Sequence, residues 1–260
     1  MSILNLPEPV NWSGIRKITW WAKLCGIGGL TYFIVRGIVS AIRGNYVTTI
    51  LIVGFAVLPV LLIVGLWLAK TGRVKTRTIS KATGFTVLPD KRFCLLMVSG
   101  LAAAAPSSLA LGILVPRGMI DIPMTRGMQI FSPALFVAGA VIAFSGLVSI
   151  ARRGGVGHLK FTPAMVEYAD ALRTRVFEWD DIVDVKDHSE LKEGRRTSRP
   201  VVLHLRDGSE QIIGGLDVYV PGGVVLYWLV RHYWKHPEDR PELVDSRAAE
   251  RLREGRFDLD

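Results

Sequence analysis

Four apolar runs dominate the N-terminal part of the chain, at roughly residues 18–42, 46–69, 93–115 and 129–151. Each reaches the length of about 20 residues that crosses a hydrocarbon core of about 30 Å. The pattern predicts an α-helical membrane bundle of four spans. The first run is the weakest, because Lys23 and Arg36 lie inside it. Both side chains can snorkel, one to each interface. Pro59, Pro106 and Pro133 favour kinks in the other three runs, where each removes a backbone donor. The small-residue surfaces AAAAPSS (102–108) and GIGG (26–29) suit close helix packing, within the bundle or against a larger membrane partner.

After residue 153 the period changes. HLKF, MVEYA, LRTRVFE and DIVDVKD are short alternating runs broken by turn residues, and each reads as a strand. PVVLHLR and SEQIIG flank Asp207-Gly208, the strongest short-range hairpin signal. Residues 188–198 form a charged loop. Residues 220–236 read as a helix with Pro221 near its first turn and Pro237 ending it. Its apolar stripe is Val224, Val225, Trp228, Leu229 and His232. The closing 241–260 reads as a charged tail, a short helix and a frayed end. Residues 72–92, between the second and third runs, also alternate: VKTRTIS, then a KATG turn, then FTVL. A lone hairpin is marginal in water, so this one is expected to add to the edge of the tail's sheet.

Charge orients the chain. The 260 residues are 50% hydrophobic with mean hydropathy +0.32, and the net charge is +9. Residues 93–116 and 129–151 hold no charged side chain, whereas the tail is rich in both signs. A membrane half and a water-soluble half follow, with an anionic membrane surface rather than nucleic acid as the partner of the excess charge. Loop 72–92 carries six basic residues, and the 116–128 loop carries only Arg117 and Arg126. The positive-inside rule puts 72–92 in the cytoplasm. Four spans then place both termini inside a multi-pass plasma (inner) membrane protein, and Arg16, Lys17, Arg152 and Arg153 agree. The first run begins late and lacks a small-x-small site, so it does not read as a cleaved signal peptide. Cys25 and Cys94 allow no disulfide framework and lack metal-ligand spacing.

Catalytic signals are weak. His232-x-x-x-His236 has zinc-compatible spacing, but Tyr233 stands where the protease form needs Glu. The pair reads instead as a favourable C-terminal partner of the helix dipole. No span carries Asp, Glu or His, which removes carboxylate dyads, intramembrane bases and ion-coupling acids. GIGGL (26–30) lies within an apolar span, and ARRGGVG leads to strands with no helix to present amides to a phosphate. The reading is a non-enzyme without metal or cofactor.

The stretch LKFTPAMVEYADALRTRVFEWDDIVDV (159–185), with a T-P-x-x-V turn and a W-D-D-I corner, resembles the bacterial PH-like domain of multi-pass membrane proteins. GGLDVYVPGG and HPEDRPEL look like its actinobacterial members. The resemblance covers about 80 residues. It implies a PH-like α+β cytoplasmic domain at 154–240, a six- or seven-stranded antiparallel sheet or barrel with a C-terminal helix, following a transmembrane region at 1–153. Lys160, Arg173 and Arg175 are similar to the basic pattern by which some eukaryotic PH domains hold phosphoinositide headgroups. With Arg73, Lys75 and Arg77 they are the expected lipid-headgroup and membrane-surface residues. Aligning Gly84-Phe85 with Met165-Val166, at an offset of 81, suggests a degenerate duplication of two spans plus a β unit. The expected role is a non-catalytic accessory or scaffold subunit of a larger membrane complex. The resemblance implies a lipid transporter of the mammalian-cell-entry type. The alternative is a stand-alone sensor or adaptor that reads anionic lipid.

Overall fold

The computed structural model describes residues 6–14, 20–170, 173–190 and 199–259, with the side chains of 13–25 outside that description. The expectations for Arg16, Lys17, the side chains of Lys23 and Cys25, and most of the charged loop lie outside the described residues.

Four long helices form: α1 (Trp20–Ile42), α2 (Tyr46–Lys70), α3 (Lys91–Leu114) and α4 (Arg126–Arg153). Three of them, α2, α3 and α4, are long and apolar enough to cross a membrane. The fourth expected span differs. The described apolar stretch of α1, Gly26–Ile42, is shorter than a span. The helices run through Pro59, Pro106 and Pro133.

Ile18–Gly65 and Cys94–Gly155 make one compact unit. Its packing follows side-chain size. The buried face of α3 is Gly100, Ala104, Ala105, Ser107, Ser108, Leu111 and Gly112. A Cβ on Gly54 of α2 would run into Ser107, and one on Gly112 would come 3.3 Å from the carbonyl oxygen of Pro133 on α4. The small residues of 102–108 are thus used within the helical unit. By contrast, Gly26, Gly28 and Gly29 of α1 have nothing near them. One terminal nitrogen of Arg36 donates to the Asp121 carbonyl at 2.7 Å, while its Nε stays buried without a partner among the described residues, and Arg43 pairs with the Asp121 carboxylate at 3.2 Å.

The other compact unit takes Leu66–Phe93 and Val156–Asp260 together with the N-terminal residues. The hairpin that sequence order places in the membrane region therefore belongs with the tail. Its strands are β1 (Arg77–Lys81) and β2 (Gly84–Leu88); the tail supplies β3 (His158–Phe161), β4 (Met165–Ala169) and β5 (Thr174–Glu178). They form one antiparallel sheet in sequential order, β1 to β5. It is a meander interrupted between β2 and β3 by the two membrane-length helices α3 and α4. Phe85 pairs with Phe161, Thr86 with Lys160 and Val87 with Leu159. Each pair of long helices is followed by a hairpin, and the aligned positions Phe85 and Val166 are both fully buried in the second strand of theirs.

A second sheet contains β6 (Ile182–Lys186), β7 (Val201–Leu205) and β8 (Glu210–Ile213), in that order. The β7–β8 turn uses Gly208 at φ +79°, as the Asp-Gly signal requires. Among the described residues the tail thus holds six strands, and the hairpin brings the antiparallel total to eight in two sheets. Against them lies α5 (Val224–Lys235). It starts three residues after Pro221 because Gly222 and Gly223 both take positive φ. Its buried surface is wider than one stripe: Leu226, Tyr227, Trp228, Leu229, Val230, His232 and Tyr233 are buried, while Val224 and Val225 are only partly so. The core runs through a stack of rings, Phe85 on Phe161 at 6.5 Å and Phe161 on Trp179 at 6.4 Å.

Two terminal segments also join this core. Residues read as a charged tail form a 3-10 helix (Pro237–Val244) and α6 (Arg247–Glu254), which bury Leu243, Ala248 and Leu252. Arg251 locks them with charge-assisted bonds to Glu242 at 2.7 and 2.8 Å. At the other end Trp12 is buried and donates to the Pro200 carbonyl, while Trp228 donates to the Pro7 carbonyl.

Candidate functional site

The pairing register decides which basic residues can act together. On β3, Lys160 lies opposite Thr86 and Glu167, and Glu167 lies opposite Val176. Directly paired residues share a face. Arg175 belongs to the neighbouring row, opposite Tyr168, which lies opposite Leu159, which lies opposite Val87. Val87 and Leu159 are buried in the core, so Arg175 leaves β5 on the core side and Lys160 leaves β3 on the outer side. The sheet separates the two residues that the headgroup pattern would bring together. Lys160 instead stands in the row with Glu167, whose carboxylate holds His158 Nε2 at 2.9 Å. Arg173 is exposed just before β5, its backbone N–H donating to Asp170 Oδ1 at 2.8 Å.

The three loop residues are also distributed. The Arg73 guanidinium lies 5.0 Å from the centre of the Trp67 ring. Lys75 is exposed. Arg77 donates to the Pro89 carbonyl at 3.2 Å. Beneath them sits a residue that sequence reasoning passed over, the loop's single acid, Asp90, which is buried. Its carboxylate accepts from the backbone N–H of Lys75 at 2.7 Å and of Arg92 at 2.8 Å, and its own N–H donates to the Val218 carbonyl. Asp immediately before an apolar helix is an N-cap signal, so this residue was legible. It closes the hairpin onto the start of α3 and onto the chain just after the second sheet.

Arg175 borders a cleft of 370 Å³ inside the β unit. Its walls come from the last residues of α2 (Leu66 and Lys70), from Tyr168 and Asp170 at the end of β4, and from the chain after β8, including Asp217 and Val218. One Arg175 nitrogen donates to Gln211 Oε1 of β8 at 3.2 Å, tying the two sheets together at the cleft. Asp217 is buried. Burial pushes its carboxyl above the ordinary carboxylate range, against the pull of Arg199, of its own backbone N–H and of Lys70. Burial, and after it the charge of Asp170, likewise raises the Tyr168 phenol, while Arg175 pulls it down. The cleft therefore holds two cations and two carboxyl groups around a phenol. Lys70 and Asp217 carry little signal in sequence: one ends an apolar run, and the other is a lone acid in GGLDVYV.

The His232 and His236 rings lie 4.8 Å apart, tilted by 34°, and both are taken up by carboxylates, His232 by Asp239 at 2.9 Å and His236 by Glu238 and Asp258. Their arrangement clamps the terminal segment onto α5.

No family model, curated protein or solved structure matches the chain.

Proposed function

We propose that the chain is a non-catalytic accessory subunit of the inner membrane, four spans that fix a cytoplasmic PH-like β domain within a larger membrane assembly. The carrying observation is the composition of the five-stranded sheet. It takes β1 and β2 from the chain between α2 and α3, and β3 to β5 from the chain after α4. The domain is thereby covalently tied to the ends of three membrane-length helices, not hung from one linker. Such a tether suits a part whose task is to hold a position.

Charge supports the orientation. Lys70, Arg73, Lys91, Arg92, Arg152 and Arg153 mark those three helix ends, against Arg43, Arg117 and Arg126 with Asp121 at the opposite ends. That bias favours a cytoplasmic β domain. Each basic residue close to an anionic leaflet contributes about 1 kcal/mol of attraction. With α1 as the fourth span, both termini lie inside. The resemblance to PH-like actinobacterial membrane proteins points to a lipid importer of the mammalian-cell-entry type as the assembly.

The test is native mass spectrometry after extraction in mild detergent. A partner membrane protein in fixed ratio is the expected result; a lone chain carrying only lipid overturns it. The second reading, a lipid-reading adaptor, is favoured by one observation, the charged cleft at the end of α2.

A further inference from the structure

Four strands end a sheet in the β domain: β1 and β5 in the first, β6 and β8 in the second. Three of them are tied to other parts of the domain. Arg175 of β5 donates to Gln211 of β8 at 3.2 Å. The Trp234 indole of α5 donates to the Ile182 carbonyl of β6, and the β6 register shifts between Ile182 and Asp184. Glu210 of β8 accepts from the Glu190 N–H at 2.8 Å. β1 is different. Its pairing with β2 runs from Arg77 to Lys81 without a shift, it contains no proline, and Thr78, Ile79, Ser80 and Lys81 are all exposed. The tight turn at Ala82 and Thr83 makes Lys81 and Gly84 a hydrogen-bonded pair, so the bonds to β2 alternate through Lys81, Ile79 and Arg77. The N–H and C=O groups of Thr78 and Ser80 therefore point away from β2, and no backbone partner meets them among the described residues. Such a row of unpaired groups is a template for one more strand.

Charge decides which strand fits. Arg77, Ile79 and Lys81 share one face of β1, the outer one, because Ile79 pairs with Thr86 and Thr86 with Lys160. Lys75 precedes them by two residues. Lys75, Arg77 and Lys81 make no ion pair among the described residues, and Arg77 meets the Pro89 carbonyl instead. A second β1 laid against the first would set Arg77 opposite Lys81 in the antiparallel sense, or each base opposite its own copy in the parallel one. Like charges directly opposite are destabilising, so the edge rejects itself. A strand with an acid at each end and an apolar residue midway is complementary, acid to Arg77, apolar side chain to Ile79 and acid to Lys81. The pattern acid-x-apolar-x-acid reads the same in both directions.

We propose that β1 is a docking edge, and that an extended acidic segment of a partner protein adds to it as a sixth strand of the first sheet. Backbone bonds through Thr78 and Ser80 attach the segment, and Arg77, Ile79 and Lys81 select its sequence. The assignment rests on the accessory-subunit reading for the existence of a partner, while the chemistry of the edge belongs to the chain itself.

The experiment adds labelled peptides to the full chain in detergent. They are TETVTET, its basic counterpart TKTVTKT, and TETVTET N-methylated at the two threonines beside its valine, which removes the donors that reach β1. Binding is read by fluorescence anisotropy, and the edge by residue-resolved hydrogen–deuterium exchange. The acidic peptide is expected to slow exchange at Thr78 and Ser80 but not at Ile79, whose N–H already bonds to β2. It should bind about tenfold or more tighter than the basic peptide, and Lys81→Glu should weaken it about tenfold, one attraction lost and one repulsion gained. N-methylation should abolish binding. Lys81 is exposed, so its variant keeps the fold. Acidic and basic peptides binding alike, N-methylation without effect, or unchanged exchange at Thr78 and Ser80 overturns the docking edge. Slowing of those amides by phosphatidylglycerol nanodiscs and not by peptide makes the bases a lipid surface and overturns it too. Native mass spectrometry separates this from the accessory reading. A lone chain there with selective peptide binding here removes that reading and supports the edge, whereas a fixed-ratio partner that Lys81→Glu does not weaken overturns the edge alone.

Discussion

Phe85 lies in a loop between two membrane-length helices, yet replacing it should strongly destabilise the domain formed by the tail. The ring is fully buried and stacks on Phe161, which stacks on Trp179. Truncating a core Phe to Ala costs about 3–5 kcal/mol. Stacked aromatic pairs add about 0.5–1.5 kcal/mol beyond the area they bury, which places Phe85→Ala toward the upper end. A domain of ordinary stability has about 5–15 kcal/mol in total, so a loss of about 4 kcal/mol removes roughly a quarter or more of it. Since about 1.4 kcal/mol is tenfold in an equilibrium, a loss of about 4 kcal/mol raises the open population roughly a thousandfold. The assay is hydrogen–deuterium exchange of the full chain in detergent, read on peptides covering 158–178. Protection there should fall by two to three orders of magnitude, about 3–4 kcal/mol worth. Ile79→Ala, on the exposed outer face of β1, is the matched control and should change stability by less than about 0.5 kcal/mol. If 158–178 keeps its protection in Phe85→Ala, the reasoning that joins loop and tail in one core is wrong.

Gly84 takes φ +130°, and a Cβ there would sit 2.6 Å from the Phe161 carbonyl oxygen. Gly84→Ala should therefore lower β-domain stability by about 1–3 kcal/mol, measurable as a drop in melting temperature that Ala at exposed Thr78 does not produce. His232 titrates below the ordinary imidazole range, because burial and then the Arg251 charge oppose protonation more than Asp239 favours it. Its Nδ1 is buried without a partner among the described residues, so a second N–H would have no acceptor. As pH falls, the unfolded chain takes the proton first; this contribution is intact above about pH 6.5 and is lost toward acid. His232→Gln should flatten the acid slope of stability in chemical denaturation, and an unchanged slope would count against it. For topology, an export-dependent reporter fused after Asp260 should be silent and one inserted near Asp121 active; the reverse pattern sinks the orientation.

Local chemistry made much of the fold legible. The apolar lengths of α2, α3 and α4, the alternation of the tail strands and the Asp207-Gly208 turn are all set by neighbours in sequence. The hairpin could be anticipated too, because an unsupported hairpin needs a sheet to join. What stayed hidden depends on long-range pairing. Whether Lys160 and Arg175 share a face is decided by β3–β4 and β4–β5 register, and one residue of slip reverses it. The closing α6 looked like a solvated charge run, since only Ala248 and Leu252 among its eight residues are buried. The Pro7–Trp12 segment gave no periodic signal because only Pro9 and Trp12 in it are buried, with two indole N–H bonds tying it down. In the site the same division holds: Asp90 was readable as a helix cap, whereas Lys70, Arg175 and Asp217 meet only because the end of α2, β5 and the chain after β8 converge.

The central claim, one cytoplasmic sheet shared by the 66–93 loop and the tail, is open to a direct measurement in intact cells. Thr86 and Lys160 are cross-strand partners of β2 and β3, and paired positions lie about 4.5–5.5 Å apart between Cα atoms, within reach of a disulfide or a short dithiol crosslinker. In a background with Cys25→Ser and Cys94→Ser, the Thr86→Cys/Lys160→Cys pair is treated with a membrane-permeant or an impermeant crosslinker and then cleaved by protease between α3 and α4. The account predicts that only the permeant reagent joins the two fragments, as efficiently as it joins the tail's own Lys160→Cys/Glu167→Cys pair. A tail pair that crosslinks while Thr86→Cys/Lys160→Cys does not, or crosslinking by the impermeant reagent, contradicts it.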